Sequence, residues 1–207
     1  MEISVNILVF SLLAGLATGL GAVISIIMDE PTEKIMSLAL GFAAGIMFGV
    51  SLLSLIPHSL ETGDLLFVAI GFVVGGFFMW LIDLFMPHVH KTDTDCGVYL
   101  KMGYFIAIGI AIHNLPEGIA IGASSMVSEQ LGIFTAGAIG LHNIAEGMAV
   151  ALPLCLGKIA KRRIVFITTL TGLSTFFGTI IGLVLVGISP LFIAFSMSFA
   201  AGAMIYI

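Results

Sequence analysis

Charge is what this chain has least of. Lys and Arg together number seven, Asp and Glu twelve, and charged residues make up 9% of its 207 positions. A soluble domain carries about a quarter, so the soluble classes are excluded. No basic patch or low-complexity tract is present, which excludes a nucleic-acid partner. The net charge of −5 says little about partners, because what matters is where the charges sit. There are two cysteines, Cys96 and Cys155, both in or beside segments placed below on the cytoplasmic side, so neither a disulfide framework nor a zinc knuckle is expected. The start, Met1-Glu2, lacks a basic n-region and leads into an apolar run long enough to remain as a helix, so no cleavable signal peptide is read.

What fills the chain instead is apolar: 59% of the residues are hydrophobic. A bilayer core needs roughly 20 apolar residues per helix. Candidate spans fall near 5–27, 36–57, 65–86, 101–126, 131–155, 163–186 and 190–207. The expected fold is all-α, a polytopic membrane helix bundle of seven spans, forming one domain over 1–207 with no linker long enough to separate a second. Glycines recur within the spans at small-xxx-small spacing (Gly41, Gly45 and Gly49; Gly71, Gly75 and Gly76; Gly178 and Gly182). Such spacing lets helix backbones approach closely where lipid gives no hydrophobic drive to pack.

The few charges are segregated. Every Lys and Arg lies in an odd-numbered connection: Lys34 in the first, Lys91 and Lys101 in the third, Lys158, Lys161, Arg162 and Arg163 in the fifth. The opposite side carries Glu2, Glu61, Asp64 and Glu129. The positive-inside rule then places the N-terminus outside and the odd connections in the cytoplasm. Inside the membrane this leaves His113, Glu117, His142 and Glu146 at mid-span, with Asp83 nearer the cytoplasmic end of the third span and His58 at the outer end of the second.

Those mid-span residues belong to two related strings, His113-Asn114-Leu115-Pro116-Glu117-Gly118 and His142-Asn143-Ile144-Ala145-Glu146-Gly147. Ionisable groups at such depth are costly and by default mark function. On a helix, i and i+4 share a face, so His113 projects with Glu117 and His142 with Glu146; Asn114 and Asn143 are i, i+3 neighbours of the glutamates. The fourth and fifth spans are consecutive and antiparallel. Facing each other, they would bring two imidazoles, two carboxylates and two amide oxygens around one small volume. Two carboxylates alone there would repel, and one would hold a proton; a divalent cation offsets both. Nitrogen and oxygen donors without thiolates suit Zn²⁺, Fe²⁺, Mn²⁺ or Co²⁺ better than Cu⁺. Pro116 has no N–H and frees the Ile112 carbonyl, with a kink expected there; the second string has Ala145 at that place and should be straighter. Gly118 and Gly147 leave room beside each glutamate for a neighbouring helix. A lone intramembrane histidine is more often a packed core residue; two copies at matching depth on adjacent spans point to a metal.

On the HNLPEG and HNIAEG motifs, and over essentially its whole length, the chain resembles the ZIP family of divalent-metal transporters, most nearly its bacterial zinc-uptake and GufA-like branches. The resemblance implies an eight-helix fold in which the fourth and fifth helices hold a binuclear metal centre between two bundles related by inverted symmetry, one sliding against the other. It implies that His113, Glu117, His142 and Glu146 form the main transport site, and that Asn114 and Asn143 form the adjacent one with Glu117 and Glu146 bridging. Met47 matches a position that supplies a thioether ligand, and is as readily a core methionine. Glu61 and Asp64, with His58, sit at the outer mouth, where they could gather cations, and each is more readily a plain solvated loop residue. Asp83, His88 and His90 face the cytoplasm, where the family's third loop is often histidine-rich. The chain stops at Gly202-Ala203-Met204-Ile205-Tyr206-Ile207, ahead of a carboxylate motif and an eighth helix that the family has, so a truncated form is expected.

The function expected is uptake of a divalent transition metal into the cytoplasm, zinc foremost, with iron, manganese, cobalt and cadmium also candidates. No covalent chemistry is required, so no enzyme and no resident cofactor is expected. The partners expected are the cation and the lipid bilayer, with a homodimer left open, in the inner membrane of a bacterium or archaeon. The competing reading is an intramembrane zinc hydrolase, in which one carboxylate serves as base to a zinc-bound water; the HExxH pattern is absent and no Ser, Asp and His set stands out as a triad. A third is a structural or sensing protein whose metal only cross-links helices.

Overall fold

The computed structural model describes residues 5–28, 33–85, 96–188 and 191–206. Among them the secondary structure is entirely helical. In chain order the helices are α1 (Val5–Ile27), α2 (Glu33–Val50), α3 (Ile56–Thr62), α4 (Leu65–Phe85), α5 (Cys96–Val127), α6 (Glu129–Leu156), α7 (Lys161–Ile188) and α8 (Leu191–Tyr206). Among the described residues six helical segments are long and apolar enough to span a bilayer, and α8, at 16 residues, is a shorter apolar helix. The result is a polytopic membrane bundle.

The second span is the least regular. Pro57 has no N–H to give, and its ring crowds the carbonyl one turn back. Over Ser51–Leu55 the helix widens into a π turn, where the Ile56 N–H bonds the Ser51 carbonyl, and α3 then continues the span. A single residue, Ser128, separates α5 from α6. Its backbone is extended (φ −158°, ψ 149°), and its hydroxyl accepts from the Leu131 N–H at 3.1 Å. This N-cap satisfies a donor that the first turn of α6 would otherwise leave orphaned. It also sets the register of the hairpin that carries both six-residue strings. Ser128→Ala is expected to cost about 1 kcal/mol, read as a lower melting temperature of the detergent-solubilised protein.

Packing divides the bundle. Helices α1, α5, α6 and α7 pack together, α6 against α1 and α5 against α7, while α4 packs on α8. The π turn and α3 also lie on α8, and α2 reaches α6. Glycines set the closest crossings. A Cβ on Gly118 would overlap the Thr175 carbonyl oxygen of α7, and one on Gly147 the Thr18 carbonyl oxygen of α1. Gly71 and Gly75 do the same for α4 on α8. Gly41, Gly45 and Gly49 depart from the expectation of tight packing: nothing lies within 4 Å of a Cβ built at any of them, because that face of α2 meets no described neighbour.

The distribution of polarity is that of a protein dissolved in lipid. Val5, Leu13 and Leu20 of α1, Leu65, Val73 and Phe77 of α4, and Phe166 and Phe177 of α7 are exposed, whereas Thr18, Thr135, Thr168, Thr175 and both motif asparagines are fully buried. Apolar side chains cost nothing against acyl tails, while polar ones must find partners inside. The described cations stand at one end: Lys34 opens α2, Lys101 lies in the first turns of α5, and Lys158 to Arg163 join α6 to α7. Glu61, Asp64 and Glu129 stand at the other, where Asn6 Nδ2 donates to Glu129 Oε1 at 2.8 Å. Glu2, His88, His90 and Lys91, and the side chain of Asp83, fall outside the described residues.

Candidate metal centre

The two strings come together in the middle of the α5–α6 hairpin. His113 is 14 residues from Val127, and His142 is 13 from Glu129, the two ends flanking Ser128. At 1.5 Å per residue both histidines lie about 20 Å from the end of the hairpin that Ser128 closes. Pro116 sits within α5 without ending it, and Ala145 holds the equivalent place in α6.

Four ionisable side chains converge here, all of them buried: His113, Glu117, His142 and Glu146. His113 Nε2 lies 2.9 Å from Glu146 Oε1 across the helix interface and 3.3 Å from Glu117 Oε1 on its own helix. His142 Nε2 repeats this, 3.0 Å from Glu117 Oε1 and 3.2 Å from Glu146 Oε1. Nitrogen and oxygen alternate around a ring, and one ligand atom from each residue lies within 4.8 Å of all the others. An Nε2–H can aim at one oxygen, not two. A central cation serves all four at once. Ligands about 2.0–2.2 Å from a tetrahedral zinc sit roughly 3.3–3.6 Å apart, close to the His–Glu separations seen.

The asparagines are held from behind. Asn143 Nδ2 donates to the Ala14 carbonyl at 2.9 Å and reaches Thr175 Oγ1 at 3.5 Å; Asn114 Nδ2 reaches the Thr171 carbonyl at 3.5 Å. Each amide is therefore tethered to α1 or α7 by its nitrogen, while Oδ1 of both is buried without a partner. Sequence spacing placed these amides on the face of the glutamates but not their anchors, which come from helices more than 25 residues away in the chain.

Met47 is buried in an apolar cluster with Val50, Ala120, Ala123 and Met197. His58 is half-buried in α3, and Glu61 and Asp64 lie near it in sequence. Cys96 is exposed; its Sγ donates to the Leu156 carbonyl at 3.5 Å, which ties the start of α5 to the end of α6.

A polytopic helical membrane protein with a buried ring of two histidines and two carboxylates is, as a class, a membrane protein with a donor set that could hold a metal ion. Comparison with known proteins narrows the class. The ZIP zinc transporter family profile matches residues 3–101 and 90–207. A zinc transporter ZupT of Chlorobium phaeovibrioides is 37% identical over 222 residues, covering 97% of this chain and 84% of the relative. The ZupT of Chlorobium limicola is 38% identical with the same coverage, and that of Salmonella arizonae is 34% identical over 209 residues, covering 96% of this chain and 81% of its own. The chain belongs to the ZIP zinc transporter family. These are transporters and not enzymes, and the intramembrane hydrolase reading is set aside on that ground.

Proposed function

We propose that this chain carries zinc across the membrane into the cytoplasm through the ring formed by His113, Glu117, His142 and Glu146. The observation that supports this most directly is the convergence of four donor atoms from two helices at mid-span, where no other use of two carboxylates is economical of charge. Nδ1 of both His113 and His142 has no partner among the described residues, so neither ring is fixed by the second-nitrogen hydrogen bond that usually orients a metal-ligating histidine. Asn114 and Asn143, with the glutamates bridging, form the adjacent position, and Met47 closes the approach from α2. The bundle acts as one transport domain in a prokaryotic inner membrane. The cationic end faces the cytoplasm and the N-terminus lies outside, following the charge segregation. Iron, manganese, cobalt and cadmium fit the same donor set.

The test is zinc influx into proteoliposomes carrying the 207-residue chain and an internal zinc indicator. Saturable influx, competed by the other divalent metals, is expected. Zinc retained by the protein without flux would overturn transport in favour of a metal that only cross-links helices.

A further inference from the structure

Most of the described cations gather at one corner of the bundle. Lys158, Lys161, Arg162 and Arg163 follow one another closely where α6 turns into α7, and all four are exposed. Lys101, also exposed, joins them through packing. A Cβ built on Gly157 would stand 3.2 Å from the Leu100 Cα, so the start of α5 lies against the end of α6. The residues that follow this contact on the two strands of chain are Lys101 and Lys158. Ion pairs among the described residues are confined to the His/Glu ring, and none of these five cations has an acidic partner there.

Membrane topology alone does not ask for this arrangement. The positive-inside rule needs cations on one side of the bilayer. It does not need them at the start of a helix, where they oppose the positive end of the dipole. α7 begins on the Ala160 carbonyl, which accepts from the Arg163 and Ile164 N–H groups at 2.8 and 3.2 Å, and no acid stands in its first turn. Lys158 adds strain. Its backbone is left-handed (φ 56°), alone among the described non-glycine residues, while Gly157 before it has φ −73° and ψ 0°. Glycine takes the left-handed conformation freely and lysine does not. Positive charge so concentrated, without acids of its own, is relieved by an anion from outside the chain.

What lies beneath the cations indicates which anion. Phe105 is four residues from Lys101 on α5; Phe166 is four from Arg162 on α7, with Leu170 four further on. Residues so spaced share a helix face. Phe105, Phe166 and Leu170 are exposed to 38%, 66% and 55%, which in a membrane means exposed to acyl chains. Each of the two helices therefore presents a cation toward the membrane surface and bare hydrocarbon below it. We propose that this corner binds the headgroup of an anionic phospholipid, with Lys101, Lys158 and Arg162 on the phosphate and Phe105 and Phe166 along the acyl chains. A guanidinium suits this because its fork meets two phosphate oxygens at once. The lipid bridges α5 to the α6–α7 connection, and so clasps the open end of the hairpin whose other end Ser128 closes.

The test is native mass spectrometry of the full chain in detergent, offered equal amounts of dioleoylphosphatidylglycerol and dioleoylphosphatidylcholine. The wild type is expected to retain phosphatidylglycerol about tenfold over phosphatidylcholine, the scale of one to two basic side chains at an anionic headgroup. Lys101→Gln/Arg162→Gln should bring that ratio close to one. Lys34→Gln removes a cation of the same end but outside the corner, and should leave the ratio as it is. If the double variant does not fold, salt gives the answer on the wild type. Raising ionic strength from about 0.01 M to about 1 M shortens the Debye length from about 30 Å to about 3 Å and should abolish the preference. Equal retention of the two lipids by the wild type, or a preference that survives both the double variant and salt, overturns the proposal. A loss in Lys34→Gln as large as in the double variant also overturns it, since net charge at that end would then suffice. Displacement of phosphatidylglycerol by millimolar inorganic phosphate overturns the lipid in favour of a free anion.

Discussion

Glu117→Gln is expected to reduce zinc influx at least a hundredfold while leaving the protein folded. Glu117 is fully buried, and its Oε1 is the atom that both histidine rings approach, at 3.0 and 3.3 Å. Glutamine preserves volume and shape, so the crossing of α5 on α7 next to it is undisturbed. What it removes is one of the two negative charges that offset a divalent ion far from water. Opposite charges at ligand distance are worth several kcal/mol even at an effective dielectric near 20, and each 1.4 kcal/mol is a factor of about ten. The control is thermal. A ligand that binds only the folded state stabilises it by about 2.7 kcal/mol at a concentration one hundred times its Kd. The wild-type melting temperature should therefore climb with zinc, and that of Glu117→Gln should stay flat. A zinc-dependent rise in the variant would show that the ring is not where the ion sits.

The span pattern was legible because lipid imposes so strong a rule. The first span was expected at 5–27 and α1 runs Val5–Ile27; the third was expected at 65–86 and α4 runs Leu65–Phe85. The fourth starts earlier than 101, at Cys96. The run 96–100 is only moderately apolar, and what holds it helical is tertiary: the C-terminal end of α6 lies against Leu100 at Gly157. The π turn was not legible either: Pro57 carried no expectation, and whether a helix answers a proline by kinking, ending or widening depends on what packs around it.

For the site, periodicity put each histidine on the face of its own glutamate, yet the shortest His–Glu approaches are between helices. Those depend on how α5 and α6 are rotated against each other, which Ser128 and the glycine crossings decide. Spacing likewise marked Gly118 and Gly147 as places of close approach without naming Thr175 or Thr18 as the groups approached. The same spacing at Gly41, Gly45 and Gly49 meets open space, so small-residue periodicity reports what a helix permits and not what it touches.

Gly147→Val is expected to be the most damaging single change away from the ligands themselves. A Cβ at Gly147 would overlap the Thr18 carbonyl oxygen and stand 2.8 Å from the Thr18 carbonyl carbon and 3.1 Å from the Gly21 Cα. Reciprocally, a Cβ at Gly21 would overlap the Ile144 carbonyl oxygen. These neighbours are backbone, so no rotamer change relieves the clash; α1 and α6 must separate. Separation strips contacts along the whole crossing and loosens the Asn143 tether to Ala14. It also displaces Glu146, the residue before Gly147, from the ring. Overpacking that demands backbone movement costs about 1–3 kcal/mol or more, and a crossing this close belongs at the upper end. Valine adds a further few tenths for its stiffness in a helix. The expected reading is loss of a monodisperse folded peak in detergent, with Gly147→Ala intermediate between valine and wild type. Gly137 supplies the comparison, since nothing lies within 4 Å of a Cβ built there and the residue is exposed in mid-helix. Gly137→Ala should raise the melting temperature slightly, by the ~0.5–1 kcal/mol that alanine gains over glycine inside a helix. Opposite signs for the same substitution at two glycines ten residues apart on α6 would show that the crossing, not helix propensity, fixes the position of Glu146; equal signs would remove the crossing from the account of how the ring is held.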